Sequence, residues 1–143
     1  MANILIVDDE EALLKLLASF LRRNGHTTVL CASAESALEQ FQSVNRGIDI
    51  LIADVSLDGG SGVEVGVDLY GLSPTLKILF MSGYPLAAWN VRDAALFTGL
   101  PPDSVLVLQK PFSSRDLLLR VEALIARSPE ALGSRHSAMG GLK

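Results

Sequence analysis

Three carboxylates, one hydroxyl and one amine stand at the ends of short apolar runs in this chain. Asp8 and Asp9 close Ile4–Val7, Asp54 closes Ile48–Ala53, Ser82 closes Lys77–Met81, and Lys110-Pro111 comes just after Val105–Leu108. Carboxylates that meet repel one another unless a cation joins them. A hard divalent ion with oxygen ligands, Mg²⁺ above all, answers that repulsion. Each residue also has a plainer use. Asp9 could cap a helix, where a carboxylate is welcome, Ser82 could form a turn, and Lys110 could be a solvated loop residue. Those uses do not explain why all five fall at strand ends.

The elements that must position them read as an alternation. Together with Thr27–Cys31, the apolar runs make five short strands with little polar alternation, as expected of strands covered on both faces in a parallel sheet. Segments of helical period lie between them. Leu13, Leu16, Leu17 and Phe20 mark the first apolar face, which Asn24-Gly25 ends. Ser33 is placed to cap a second helix with Ala37, Leu38, Phe41 and Val44 inward. A third helix follows Gly62, although Gly66 and Gly71 each cost it roughly 1 kcal/mol against alanine. A fourth is predicted over Leu86 to Phe97, closed by Gly99 and Pro101-Pro102. Ser113 with Asp116 makes a capping-box start for the last, whose Leu117, Val121, Leu124 and Ile125 face the core. Five β-α units with right-handed crossovers mean an α/β, doubly wound sheet. In such a sheet, ligands bind outside the carboxyl ends of the strands, where the acids, Ser82 and Lys110 fall.

Length and composition set the outer limits. The 143 residues suit one domain, with 49% hydrophobic and 20% charged residues as in a compact α/β fold. A net charge of −4 leaves no basic footprint for direct nucleic-acid binding, and Arg22-Arg23 serves a helix end. No apolar run approaches a membrane span, and the first residues do not read as a signal peptide. The one cysteine, Cys31, excludes an intramolecular disulfide and fits a cytoplasmic location as a buried, inert thiol. His26 and His136 are far in sequence from the acids and are expected in solvent. The folded domain is expected over residues 1–127, with 128–143 a disordered tail rich in Ser, Gly and Ala.

Val7-Asp8-Asp9, Asp54, Ser82-Gly83 and Lys110-Pro111-Phe112, in this order and spacing, resemble the response-regulator receiver domain of two-component phosphorelays. The resemblance runs from about Met1 to Arg127, and Phe80–Pro85 with Leu108–Phe112 is most similar to receivers working with hybrid histidine kinases. It implies a flavodoxin-like strand order, 2-1-3-4-5, which sets the first and third strands side by side. It also implies that Asp54 is the nucleophile toward a phosphohistidine, carried by a histidine kinase or a histidine phosphotransfer protein. By the same resemblance Asp9, Asp54 and the Ser56 carbonyl bind Mg²⁺ directly, and Asp8 acts through water. Lys110 and the ion stabilise the transferring group. Ser82 binds a phosphoryl oxygen, and the Lys110-Pro111 bond is cis.

Two positions depart from the receiver pattern. Receivers usually carry Tyr or Phe three residues before the lysine, where this chain has Val107, a stiff side chain with no ring to swing. Tyr84, two residues after Ser82, lies close enough to substitute, and equally reads as an exposed loop aromatic. Proline is common at the Asp58 position, so the turn there is expected to be looser, with Gly59-Gly60-Ser61-Gly62 a flexible loop. Two other functions compete with the phosphorylation switch. Haloacid-dehalogenase-like phosphatases also combine Asp, Mg²⁺ and Lys, but their aspartates stand two apart after the first strand, whereas Asp54 and Asp58 are four apart after the third. A receiver-shaped binding module that needs no phosphorylation would not require the acids, Ser82 and Lys110 together. The expected role is a signalling switch, not an enzyme with turnover.

Overall fold

The computed structural model describes residues 1–44 and 47–127. The expected disordered tail and His136 lie outside the described residues. Five parallel strands form one sheet, β1 (Asn3–Val7), β2 (Thr27–Cys31), β3 (Ile50–Asp54), β4 (Lys77–Ser82) and β5 (Val105–Gln109). Their order is β2-β1-β3-β4-β5. Five helices alternate with them, α1 (Glu11–Arg23), α2 (Ala34–Ser43), α3 (Gly62–Leu72), α4 (Val91–Thr98) and α5 (Ser114–Ala126).

Because side chains alternate across a strand, each strand feeds two cores. Ile4, Ile6, Ile50, Ile52, Leu79 and Met81 meet Leu14, Leu17 and Leu21 of α1 and Leu117, Val121 and Leu124 of α5. Leu5, Val7, Leu51, Ala53, Ile78 and Phe80 meet α2, α3 and α4 on the other face. The apolar middles of β1, β3, β4 and β5, whose polar residues stand only at the strand ends, follow from this double cover.

Side-chain caps fix where α2, α3 and α5 begin. Ser33 accepts from the Ser36 N–H at 3.1 Å, and Ser61 accepts from the Val63 N–H at 3.0 Å. Ser113 and Asp116 form the reciprocal capping box expected of them. Gly66 is explained by close approach, since a Cβ there would lie 2.8 Å from Phe80 Cζ.

Some expected details shift. β3 starts at Ile50 because Asp49 turns its carboxylate back to the Asn3 N–H, 2.8 Å away. The inner face of α1 is Leu14, Leu17, Ala18 and Leu21; Leu16 is exposed, and Leu13 and Phe20 are only partly covered. In α2 Ala37 is buried but Leu38 is exposed. The helix expected over Leu86 to Phe97 is two pieces, a 3-10 turn at Leu86–Ala88 and then α4. Between them Trp89 and Asn90 are extended, and Asn90 caps α4 by accepting from the Asp93 N–H at 2.8 Å.

His26 is buried, not in solvent. Its Nδ1 accepts from the Ala2 N–H at 3.0 Å and so holds the chain start against the turn before β2. Cys31 is buried as expected, and burial pushes its thiol pKa up.

Candidate functional site

Strand register builds the rim. Val7 pairs with Ala53, Asp54 with Met81, and Ser82 with Gln109, so the residues just beyond β1, β3, β4 and β5 share one level. The Asp8 N–H extends the ladder to the Cys31 carbonyl at 3.1 Å, and the Lys110 N–H does so to the Ser82 carbonyl at 2.7 Å. The Lys110-Pro111 peptide is cis.

Lys110 and the three expected acids meet at this rim, whereas the Ser82 hydroxyl, at the same level, is bonded to Tyr84 and Trp89. Lys110 Nζ lies 2.8 Å from Asp54 Oδ2 and 3.5 Å from Asp8 Oδ2. Asp8 is fully buried and Asp54 nearly so, while Asp9 is exposed. Asp8, Asp9 and Asp54 each offer a carboxylate oxygen within 4.8 Å of the others. Asp54 Oδ1 also accepts from the Ser56 N–H at 3.0 Å, and Asp8 Oδ1 from the Glu10 N–H at 2.8 Å. Asp9 does not cap α1; its Oδ2 accepts from the Asp58 N–H at 2.8 Å, across to the loop after β3.

Burial, the largest influence, raises the Asp8 pKa; the Glu10 N–H and the Lys110 charge only partly offset it, and the Asp54 charge adds to the rise. Burial alone would lower the Lys110 pKa, but its hydrogen bond and attraction to Asp54, with Asp8 behind, hold it above the ordinary value. Three oxygen donors around one point suit a hard divalent cation, and a cation there would also relieve the crowding of Asp8 against Asp54.

A family model described as response regulator receiver domain matches residues 4–122. The chain belongs to that family. RegX3, a sensory transduction protein of Mycolicibacterium smegmatis, is 31% identical over 132 residues, 91% of this chain and 53% of RegX3. The chain thus spans about half the length of that relative. Among solved structures, a CheY-like receiver from Methanospirillum hungatei aligns with a TM-score of 0.75 at 25% identity, covering 89% of this chain and 96% of that one. The receiver of the hybrid histidine kinase CckA aligns at 0.66 and 28% identity, covering 85% and 98%. The flavodoxin-like order and the likeness to hybrid-kinase receivers are therefore as the motifs implied. No described helix is long and apolar enough to cross a membrane.

The receiver's rim differs from expectation in its surroundings. The loop after β3 is an ordered hairpin, Ser56–Leu57 against Gly60–Ser61, turning at Asp58 and Gly59, where Gly59 has φ +74°. Gly62 packs so closely that a Cβ would fall 1.8 Å from the Asp54 carbonyl oxygen. Tyr84 is exposed, and its hydroxyl meets that of Ser56 at 3.0 Å. Val107 is partly covered beside Phe80, its register partner.

Sequence reasoning assigned no position to Asp93. This buried carboxylate of α4 accepts from the Ser61 hydroxyl at 2.7 Å and from the Asn90 amide at 3.1 Å, tying α4 to the cap of α3. The Asn-x-x-Asp spacing, a helix-start signature, was the available signal. Trp89, also buried, donates from Nε1 to Ser82 Oγ at 3.2 Å, a contact that no spacing announces.

Proposed function

We propose that Asp54 takes a phosphoryl group from the phosphohistidine of a histidine kinase or histidine phosphotransfer protein, and that the chain signals by the change that follows. The observation that carries this reading is the 2.8 Å contact of Lys110 with Asp54 inside a cluster of three carboxylates. A carboxylate oxygen of Asp54 attacks phosphorus; the O–P bond forms as the N–P bond of the donor breaks, and the imidazole leaves. Lys110 faces the oxygens on which charge collects. Ser82 donates to one of them once Asp54 is modified.

The residues fit Mg²⁺, with Asp9, Asp54 and the Ser56 carbonyl as direct ligands and Asp8 acting through water. Bound there, the ion supplies positive charge to the transferring group. The chain then catalyses only its own phosphorylation and dephosphorylation, and the receiver unit spans residues 1–127.

Incubation with acetyl phosphate and Mg²⁺, followed by mass spectrometry, tests this. One phosphoryl group on Asp54, dependent on Mg²⁺ and absent from Asp54→Asn, is expected. Sustained turnover of phosphate esters would indicate a phosphatase instead, and a failure to label would leave a binding module that needs no phosphorylation.

A further inference from the structure

The hydroxyl of Ser82 already has its full set of partners. It donates to the Tyr84 carbonyl at 2.5 Å and accepts from the Tyr84 N–H and from Trp89 Nε1–H, each at 3.2 Å. A hydroxyl has one proton and two lone pairs, so nothing is left over for a new ligand. Ser82 can donate to a phosphoryl oxygen only by taking its proton away from Tyr84. Rotation of the side chain toward Asp54 also carries Oγ away from the indole.

Trp89 has little freedom to follow. Its ring stands edge-on to Phe80 of β4, with centroids 6.0 Å apart, and to Phe97 of α4 at 5.3 Å. It is 6% exposed, and Ser82 Oγ is the one acceptor of its N–H among the described residues. An indole nitrogen can only donate, and a buried donor without an acceptor is unfavourable. The segment is anchored at its other end too, where the Tyr84 hydroxyl meets Ser56, two residues past Asp54. Val107, the register partner of Phe80, has no polar atom with which to replace the lost contact.

We propose that Trp89 is a positioning residue for Ser82. Its N–H holds the serine hydroxyl in the unphosphorylated arrangement, and loss of that bond on phosphorylation releases the stretch from Tyr84 to Trp89 and transmits the change to α4. This inference rests on Asp54 being the phosphoacceptor. The two arrangements then differ in a named contact, which any switch between two states requires.

Trp89 is the only tryptophan, so nitrogen–proton correlation spectra carry a single indole resonance. Spectra of the wild type before and after acetyl phosphate with Mg²⁺, with mass spectrometry on the same sample, make the test. The indole resonance is expected to move on phosphorylation toward its position in unphosphorylated Ser82→Ala, where the acceptor is gone. Trp89→Phe keeps an aromatic ring without the N–H and should form the acyl phosphate roughly 2- to 10-fold faster, the factor that one net hydrogen bond represents. If that variant does not fold, the wild-type spectra decide alone. No added mass on the wild type overturns the phosphoacceptor reading and this inference with it. Added mass on Asp54 with an unmoved indole, or a folded Trp89→Phe with an unchanged rate, overturns the inference only.

Discussion

Lys110 Nζ and Asp54 Oδ2 stand 2.8 Å apart, joined across 56 positions of sequence. The same ammonium reaches Asp8, so a single cation serves two buried carboxylates. A divalent ion held by these acids would share them with Lys110 and be repelled by it. Neither can be altered without effect on the other.

Lys110→Met is accordingly expected to act in two opposite directions. Acyl-phosphate formation should slow by about 10²-fold, the usual loss when one preorganised donor to a developing oxyanion is removed. Mg²⁺ should bind more tightly, because a competing positive charge has gone. Calorimetric titration of Mg²⁺ alongside labelling kinetics checks both, and weaker Mg²⁺ binding would contradict the shared-acid account.

Asp9 makes a different prediction, because its Oδ2 holds the Asp58 N–H. Asp9→Ala should weaken Mg²⁺ binding by at least about 10-fold, since even outer partners of a metal ligand have effects of that order. Phosphorylation should fall with it. Amide exchange at Asp58 should also quicken without any metal, as the hairpin loses its tether to the first acidic pair. Unchanged Mg²⁺ affinity would remove Asp9 from the ligand set.

Gly62 tests how tightly the backbone beside Asp54 is fixed. Gly62→Ala would place a methyl group 1.8 Å from the Asp54 carbonyl oxygen, so β3 or α3 must shift. A destabilisation of about 1–3 kcal/mol is expected from such overpacking, together with slower phosphorylation. Gly71→Ala is the control, since a Cβ there meets nothing within 4 Å. In a helix it should be neutral or stabilising. Denaturant unfolding of the two variants separates local crowding from a general intolerance of change in α3.

The arrangement of strands was legible because the apolar runs are short, evenly recurring and covered on both sides. Their carboxyl ends named Asp8, Asp9, Asp54, Ser82 and Lys110, which parallel register leaves level, and the acids and Lys110 meet there. The sequence misled where one residue serves two surfaces. Trp89 fell within the helix expected over Leu86 to Phe97, yet its extended backbone ends a turn and its indole reaches Ser82. The glycine-rich stretch after Asp58 read as a loop without a set conformation, yet it forms a short hairpin in which Gly59 takes a positive φ and Gly62 makes a close approach. Leu16 fits the helical period yet faces solvent, since a period fixes spacing but not which of two adjacent stripes meets the sheet.

His26 gives the pH dependence of stability. Its Nδ1 accepts the Ala2 N–H, so the folded state needs the imidazole neutral. Burial and the Met1 ammonium both lower its pKa, and the Glu122 carboxylate of α5 only partly opposes them. A pKa lower in the folded than in the unfolded chain means that the unfolded state binds the proton more readily. The contribution is therefore complete above the ordinary histidine value of about 6.5 and is lost as pH falls from there through the folded value. His26→Phe should abolish this loss while lowering stability at neutral pH by about 1–3 kcal/mol, as the Ala2 N–H is left without its partner. Urea unfolding of both proteins from pH 8 to pH 5 measures the difference. It should be constant above the ordinary value and shrink below it, because only the wild type has a proton to take up at this site. A difference that stays flat across the range would show that His26 is not the titrating group.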